Sequence, residues 1–249
     1  MSEDLTLDSL FSGAIKLLQH RRGYRFSVDA PILASFVRLK RGERVVDLGT
    51  GNGVILLILA RRFPQAGEMV GVEIQEGLAE LASRNVELNG LGGLIRVLHG
   101  DIRECRRLFG PESFDVVVSN PPYYPLGRGR INPEDERAIA RHELMATVGD
   151  VVEASRYLLK GGGRVYYVYP ARRAVTLLAE MRRRSIEPKR MRWVHPFPAK
   201  GAEMVLVEGI KGAKEGLEVE PPLVVQDAEG GYTEEMERVL FKLEVEDEM

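Results

Sequence analysis

Four residues able to do polar chemistry stand at or just beyond the ends of apolar runs. Asp47 follows Arg44-Val45-Val46, Glu73 follows Met69-Val70-Gly71-Val72, Asp101 lies beyond Leu94–Leu98, and Asn120 follows Phe114–Ser119. Runs of this kind read as buried strands of a parallel sheet, and open α/β sheets bind ligands at their C-terminal strand ends. The last run delivers Asn120-Pro121-Pro122-Tyr123-Tyr124. Two prolines fix φ and remove two backbone donors. What remains is a rigid pair of acceptors, the Asn120 side-chain oxygen and the Pro121 carbonyl, with aromatic rings beside them. That set suits a flat amide or exocyclic amine, whose two N–H groups need two acceptors and whose face needs a stacking partner.

Gly49-Thr50-Gly51-Asn52-Gly53 joins the Asp47 strand to a helix. Glycines there let a ligand approach the backbone, and a helix N-terminus favours a negative group. The dinucleotide fingerprint G-x-G-x-x-G is not met, because the third glycine falls one residue early. Asp47 would also repel a pyrophosphate. A ligand carrying an ammonium and a carboxylate, but no phosphate, fits better, and S-adenosylmethionine is such a ligand. Glu73 can accept from both ribose hydroxyls and can also cap the next helix. Asp101 can accept from the cofactor adenine's amino group. The cofactor set is therefore Asp47, Gly49, Thr50, Gly51, Gly53, Glu73 with Ile74, Asp101 with Ile102, and Asn120.

These residues need a scaffold. The alternation predicts strands at 44–48, 69–73, 94–98, 114–119 and 164–169, with helices over 54–63, 75–89, 146–159 and 172–183 between them. Lys160-Gly161-Gly162-Gly163 stops the third of these helices. Strands alternating with helices at this spacing form a doubly wound, mostly parallel α/β sheet. Pro188–Val194 and Met204–Gly209 read as a final antiparallel pair. Ahead of the sheet, Ile15–Gln19 and Tyr24–Val28 read as a β-hairpin, and Asp29 caps a helix running to Val37. Tyr166, Tyr167 and Tyr169 are expected to alternate between core and surface. Residues 125–142, rich in glycine, proline and charge, form a long loop at the ligand end. Pro221–Val225 is extended and Tyr232–Leu243 helical. The expected domains are an N-terminal extension over 1–38, a catalytic α/β domain over 39–212 and an acidic tail over 213–249.

The chain has 249 residues, 44% of them hydrophobic, enough for a sizeable core. The single cysteine, Cys105, excludes an internal disulfide and points to a reducing cytoplasm. Ser2-Glu3-Asp4 lacks a signal peptide's basic start. No Cys/His spacing implies a metal. Residues 215–249 carry twelve acids against two bases, a local −10, which leaves +8 for residues 1–214 within the total of −2. Between 181 and 200, seven bases (Arg182, Arg183, Arg184, Lys189, Arg190, Arg192, Lys200) face one acid, Glu187. Such asymmetry reads either as a polyanion-binding stripe or as a solvated helix face.

Residues 44–124 resemble a class I S-adenosylmethionine-dependent methyltransferase of the amino-methylating type, with Asn-Pro-Pro-Tyr as its motif. The resemblance implies a Rossmann-like fold with a seven-stranded sheet. It gives Asn120, Pro121, Pro122 and Tyr123 catalytic roles: Asn120 and Pro121 hold the amine, and Tyr123 stacks on the ring. Gly23-Tyr24-Arg25-Phe26-Ser27-Val28-Asp29, Arg141-His142-Glu143, Pro221–Val225 and Gly231-Tyr232-Thr233 are similar to the tRNA adenine-N6 methyltransferases that modify the purine beside the anticodon of a valine tRNA. That likeness implies that Arg25, Phe26, Ser27 and Asp29 line the cofactor pocket. It implies substrate contacts from Tyr124, Arg141, His142 and Lys200, an RNA partner, no membrane and no metal, in a monomer or homodimer. A protein glutamine amide offers the same two N–H groups, and an rRNA guanine amine or a DNA adenine are further targets of the class. An inactive cofactor-binding RNA module is the reading from outside the enzymes.

Overall fold

The computed structural model describes residues 5–21, 27–121 and 146–246. The strands are β1 (Leu5–Leu10), β2 (Ile15–His20), β3 (Val45–Leu48), β4 (Met69–Glu73), β5 (Ile95–His99), β6 (Phe114–Ser119), β7 (Leu159–Pro170), β8 (Ile186–His195), β9 (Met204–Lys211) and β10 (Glu218–Val224). The helices are α1 (Asp29–Phe36), α2 (Val54–Arg62), α3 (Glu76–Leu88), the single turn α4 (Cys105–Leu108), α5 (Val148–Leu158), α6 (Ala174–Arg183) and α7 (Glu234–Phe241).

One sheet organises the molecule, in the order β10-β8-β9-β7-β6-β3-β4-β5. β3 pairs in parallel with β4 and β6, β4 with β5, and β6 with β7, while β9 runs antiparallel to both β7 and β8. This is the doubly wound, mostly parallel sheet with an antiparallel final pair. The chain leaves β3 in one direction and returns to β6 on its other side, so the ends of β3 and β6 flank the switch point where such sheets bind ligands.

Helices cover both faces, and the period of two in the strands sorts their side chains. Val45, Val116, Val118, Tyr166 and Val168 pack towards α1 and α2. Val46, Val70, Val117, Val165, Tyr167 and Tyr169 pack towards α5 and α6. The expectation that the three tyrosines alternate between core and surface is therefore corrected: all three are buried. Tyr166 donates to the Arg38 carbonyl at 3.2 Å and Tyr167 to the Ser155 hydroxyl at 2.7 Å. Burial pushes the Tyr166 phenol up to about 12.

Four further expectations are revised. Among the described residues the sheet has eight strands, because Glu218–Val224 adds to the edge of β8 in parallel register. The hairpin partner of Ile15–His20 is Leu5–Leu10; of the expected return strand Tyr24–Val28, residues 24–26 lie outside the described set and Ser27-Val28 lead into α1. Val28 occupies the N-cap position of α1 and Asp29 is its first helical residue. The glycine run 161–163 does not separate helix from strand, since β7 begins at Leu159 and carries it.

The hairpin is fastened by an amide ladder. Asn85 of α3 accepts from the Leu18 N–H at 2.7 Å and donates to the Leu18 carbonyl at 3.1 Å and the Asn52 carbonyl at 3.0 Å. One turn on, Asn89 accepts from Lys16 N–H at 2.9 Å and donates to its carbonyl at 2.7 Å. Two asparagines at i, i+4 thus act as a neighbouring strand for the β2 edge, and Asn85 joins that edge to the glycine turn. Asn85→Ala strands the half-buried Leu18 N–H and two carbonyls; it is expected to destabilise the protein by about 2–3 kcal/mol, read as a lower urea midpoint with an unchanged m-value.

The charge asymmetry is largely internal. Arg182 pairs with Glu187 at 3.2 Å and Glu215 at 2.5 Å, Arg190 with Glu208 at 2.8 Å and Glu220 at 3.2 Å, and Arg192 with Glu235 at 2.8 Å. Arg183 and Arg184 pair with Glu180. Arg190 is buried, stacks 4.0 Å over the Phe36 ring and donates to the Phe36 carbonyl at 2.6 Å. Three of the C-terminal acids, Glu215, Glu220 and Glu235, therefore lie against Arg182, Arg190 and Arg192. With these arginines and Arg183 and Arg184 paired to acids, the stripe by itself no longer argues for a polyanion.

Candidate functional site

The four strand ends meet at one pocket, whose walls include Gly49, Gly51, Glu73, Ile74, Asp101, Ile102 and Asn120. Apolar side chains complete it: Leu48, Val72, Leu78 from α3, and Ala146 and Val151 from the α5 side. A second cavity, between Leu39–Arg41, Phe63 and Glu246, opens near the other end of β3 and holds none of the strand-end acids.

The glycine turn is set by what lies beneath it. Gly53 is the N-cap of α2 with φ +84°, and a Cβ there would lie 3.3 Å from the Ala82 Cβ, so glycine allows both the turn and the close approach of α3. Gly71, in the middle of β4, matters more than its position suggests. A Cβ on it would fall 2.8 Å from Thr50 Cγ2, and the space it leaves lets Thr50 turn its hydroxyl onto Asp47 Oδ2 at 2.8 Å.

Glu73 is 5% exposed and bridges two elements. One oxygen accepts from Gly51 N–H at 2.9 Å and the other from Gln75 N–H at 2.9 Å. It thereby links the glycine turn to the N-terminal end of α3. Each carboxylate oxygen has a second lone pair, so these two bonds do not exclude a ligand-accepting role for this pocket wall. Gly100 N–H donates to the Glu73 carbonyl at 2.9 Å, and the His99 ring donates to the Ile74 carbonyl at 3.0 Å, which makes His99 structural.

Asp47 differs from expectation. It is fully buried under the turn and is not a wall of the pocket. Its Oδ2 accepts from Thr50, while its buried Oδ1 has no partner among the described residues. Burial drives its carboxyl up to about 7, with the Thr50 hydroxyl opposing and the Glu73 charge reinforcing the rise. Thr50 is buried with it. A buried acceptor without a donor is costly, and a cationic ligand above it lowers that cost.

Asp101 is held by a residue that spacing alone did not reveal. Arg103 donates from Nε to both carboxylate oxygens, at 3.0 and 2.8 Å, and from Nη2 at 2.5 Å, and its backbone N–H caps the same group at 2.8 Å. Partial burial pushes the Asp101 carboxyl up, but the side-chain bonds, backbone N–H and charge of Arg103 outweigh it and hold it below its ordinary value. Asp101 therefore enters the pocket as a fixed carboxylate.

The remaining expected residues divide. Pro121 is buried directly behind Asn120. Ser27 and Asp29 sit at the start of α1 and do not line the pocket. Lys200 lies in the β8–β9 connection, 5.5 Å over the Phe197 ring, away from the pocket walls. Its carbonyl accepts from His195 Nδ1 at 2.7 Å. Arg25, Phe26, Pro122, Tyr123, Tyr124, Arg141 and His142 lie outside the described residues. Cys105 is buried and its thiol is pushed up by that burial, so it is no nucleophile. Among the described residues no helix is long and apolar enough to cross a membrane, and no His/Cys/Asp/Glu group could hold a metal ion.

A doubly wound sheet with a glycine turn, a bridging carboxylate and an Asn-Pro at neighbouring strand ends is an architecture found in methyltransferases. Residues 39–193 match the methyltransferase domain family, and the chain belongs to that family. Within it, a Porphyromonas gingivalis protein named tRNA1(Val) (adenine(37)-N6)-methyltransferase is 30% identical over 202 residues, spanning 79% of this chain and 78% of the relative. A Pedobacter heparinus protein of the same name is 32% identical over 155 residues, spanning 62% and 63%. The chain thus covers less than two thirds of the length of some of these relatives. A predicted O-methyltransferase from Agrobacterium tumefaciens superposes with a TM-score of 0.71 at 23% identity, covering 89% of this chain and 99% of that one, which establishes the shared fold.

Proposed function

We propose that this protein transfers a methyl group from S-adenosylmethionine to the N6 amine of an adenine in RNA, and that the RNA is a tRNA with the target adenine beside the anticodon. The observation that carries this reading is that Asn120 opens into the same pocket as Gly49, Gly51 and Glu73, so an amine acceptor and a donor-binding turn share one space. The names of the relatives support adenine and tRNA as the target.

The residues fit the cofactor. The buried Asp47 Oδ1, without a partner among the described residues, and the nearby Glu73 suit a ligand that carries a sulfonium and an ammonium, since such a cation favours the ionised form of the raised Asp47 carboxyl. Glu73 has lone pairs for ribose hydroxyls, Asp101 presents a carboxylate to the adenine amine, and Ile74 and Ile102 supply apolar walls. When bound, S-adenosylmethionine supplies an electrophilic methyl, and the chain's part is alignment of nitrogen, carbon and sulfur. Asn120 and the Pro121 carbonyl accept both N–H bonds of the amine, which fixes its orientation and draws its lone pair out of the ring. Tyr123 takes the stacking role on the strength of the family resemblance; base stacking of this kind contributes about 1–3 kcal/mol.

The same acceptor pair suits a glutamine side-chain amide, and the internal neutralisation of the basic stretch keeps a protein substrate as the second reading. Incubation with methyl-labelled cofactor and a mixture of bacterial tRNA and ribosomal protein extract separates the two. Label in the anticodon-loop fragment of one tRNA species is expected. Label confined to protein rejects the RNA reading.

A further inference from the structure

We propose that Ser119 is a positioning residue for methyl transfer, holding the end of the Asn120 strand at a fixed distance from the end of the glycine-turn strand. The proposal rests on the methyltransferase reading above.

The β3–β6 ladder pairs Val45 with Val116, Val46 with Val117 and Asp47 with Val118, and there it stops. The next residues turn to their other neighbours, Leu48 pairing with Val72 of β4 and Ser119 with Tyr167 of β7. The two strands part at this point, which is what opens the crevice of a doubly wound sheet. The parting would leave the Leu48 carbonyl buried and unpaired. Ser119, fully buried, donates its hydroxyl to that carbonyl at 2.6 Å. One side-chain hydrogen bond thus replaces the missing rung.

Its location gives the bond its consequence. Leu48 is the last residue before Gly49, and Ser119 is the last before Asn120. The bond therefore lies one residue from the turn assigned to the methyl donor and one residue from the group assigned to the amine. Val116, Val117 and Val118 precede Ser119 as buried β-formers. A valine in its place would also pack as a buried strand residue, but it could not donate. In-line transfer is sensitive to the separation of the reacting atoms, and a displacement near 1 Å costs up to about a hundredfold in rate.

The test is a matched pair of variants of nearly equal volume, Ser119→Thr and Ser119→Val, which differ in whether the hydroxyl is present. They are assayed beside wild type, Ser119→Ala and Asn120→Ala with labelled S-adenosylmethionine and unfractionated bacterial tRNA. The expected result is a fall in kcat of about ten- to a hundredfold for Ser119→Ala and Ser119→Val, with KM for tRNA and cofactor Kd within about twofold of wild type, and recovery of most of kcat in Ser119→Thr. Any strain from the added carbon is common to threonine and valine, so their difference isolates the hydrogen bond. Equal turnover by the threonine and valine variants overturns the proposal, as does a loss carried by cofactor Kd. If wild type labels tRNA and Asn120→Ala does not, either result rejects the role of Ser119 alone. If wild type leaves tRNA unlabelled, the RNA reading fails and the proposal falls with it.

Discussion

Asn120→Ala is expected to lower methyl transfer about a hundred- to a thousandfold, the scale seen when one oriented hydrogen-bonding group is removed from a reacting centre. Cofactor affinity is expected to stay within a few-fold of wild type, because Glu73, Gly49, Gly51 and Asp101 remain in place around the pocket. In the proposed mechanism the effect belongs to kcat, because an Asn120 oxygen that draws the amine lone pair towards the methyl interacts more strongly as the new bond forms. Single-turnover kinetics together with calorimetric cofactor titration measure both quantities. Transfer at the wild-type rate by the alanine variant would remove Asn120 from the chemistry.

The second large effect is expected at Asp47, where stability and binding move in opposite directions. Burial pushes its carboxyl up from the ordinary aspartate range to about 7 in the folded protein. An acid raised in this way is protonated in the folded state while already ionised in the unfolded chain. The unfolded state then binds fewer protons, so stability falls as pH rises from about 4 to about 7 and levels off above. Asp47→Asn removes the ionisation and keeps an oxygen to accept from Thr50, so it should raise Tm at pH 8 by a few degrees and flatten the pH dependence of the unliganded protein. It should also weaken S-adenosylmethionine by about thirtyfold or more, the loss of about 2 kcal/mol expected on removing one partner of a shielded charge pair. In the wild type, cofactor affinity should rise with pH through the interval around 7, as Asp47 ionises, and the asparagine variant should lack that rise. Thermal shift and calorimetry across pH decide both halves. An asparagine variant that is less stable at pH 8 and binds the cofactor as well as wild type would contradict the account of this buried charge.

Much of this site was legible in the sequence for a physical reason. Parallel strands covered on both faces are written as continuous apolar runs, so the polar residue that ends each run is conspicuous, and chain order alone places Glu73, Asp101 and Asn120 at the same edge. Glu73 shows how far local reasoning reaches: both its bonds, to Gly51 and Gln75, join segments that the strand–helix pattern already made neighbours. Asp47 shows where it stops. Position along the strand put it at the ligand edge, but depth is a property of the packed turn above it, and only the fold reveals that Thr50, set in the space Gly71 leaves, bonds to it.

Features set by long-range pairing were not legible. Ile15–His20 carries no mark that selects Leu5–Leu10 over the downstream segment, and the Asn85 and Asn89 amides that satisfy its other edge come from α3. The two prolines of Glu218–Val224 read as an extended tail; as an edge strand it tolerates them, since only one side joins the ladder. Charge was the least legible. Seven bases within twenty residues read either as a polyanion-binding stripe or as a solvated helix face, yet the returning C-terminal segment brings Glu215, Glu220 and Glu235 to Arg182, Arg190 and Arg192. Composition records the charges but not their partners.

The atom that receives the methyl group can be identified directly. Bacterial RNA is incubated with the protein and deuterium-methyl S-adenosylmethionine, digested to nucleosides and resolved by mass spectrometry. Labelled N6-methyladenosine that disappears with Asn120→Ala is expected. Label in N2-methylguanosine, or none in RNA and label in a protein glutamine amide, would contradict transfer to an adenine N6.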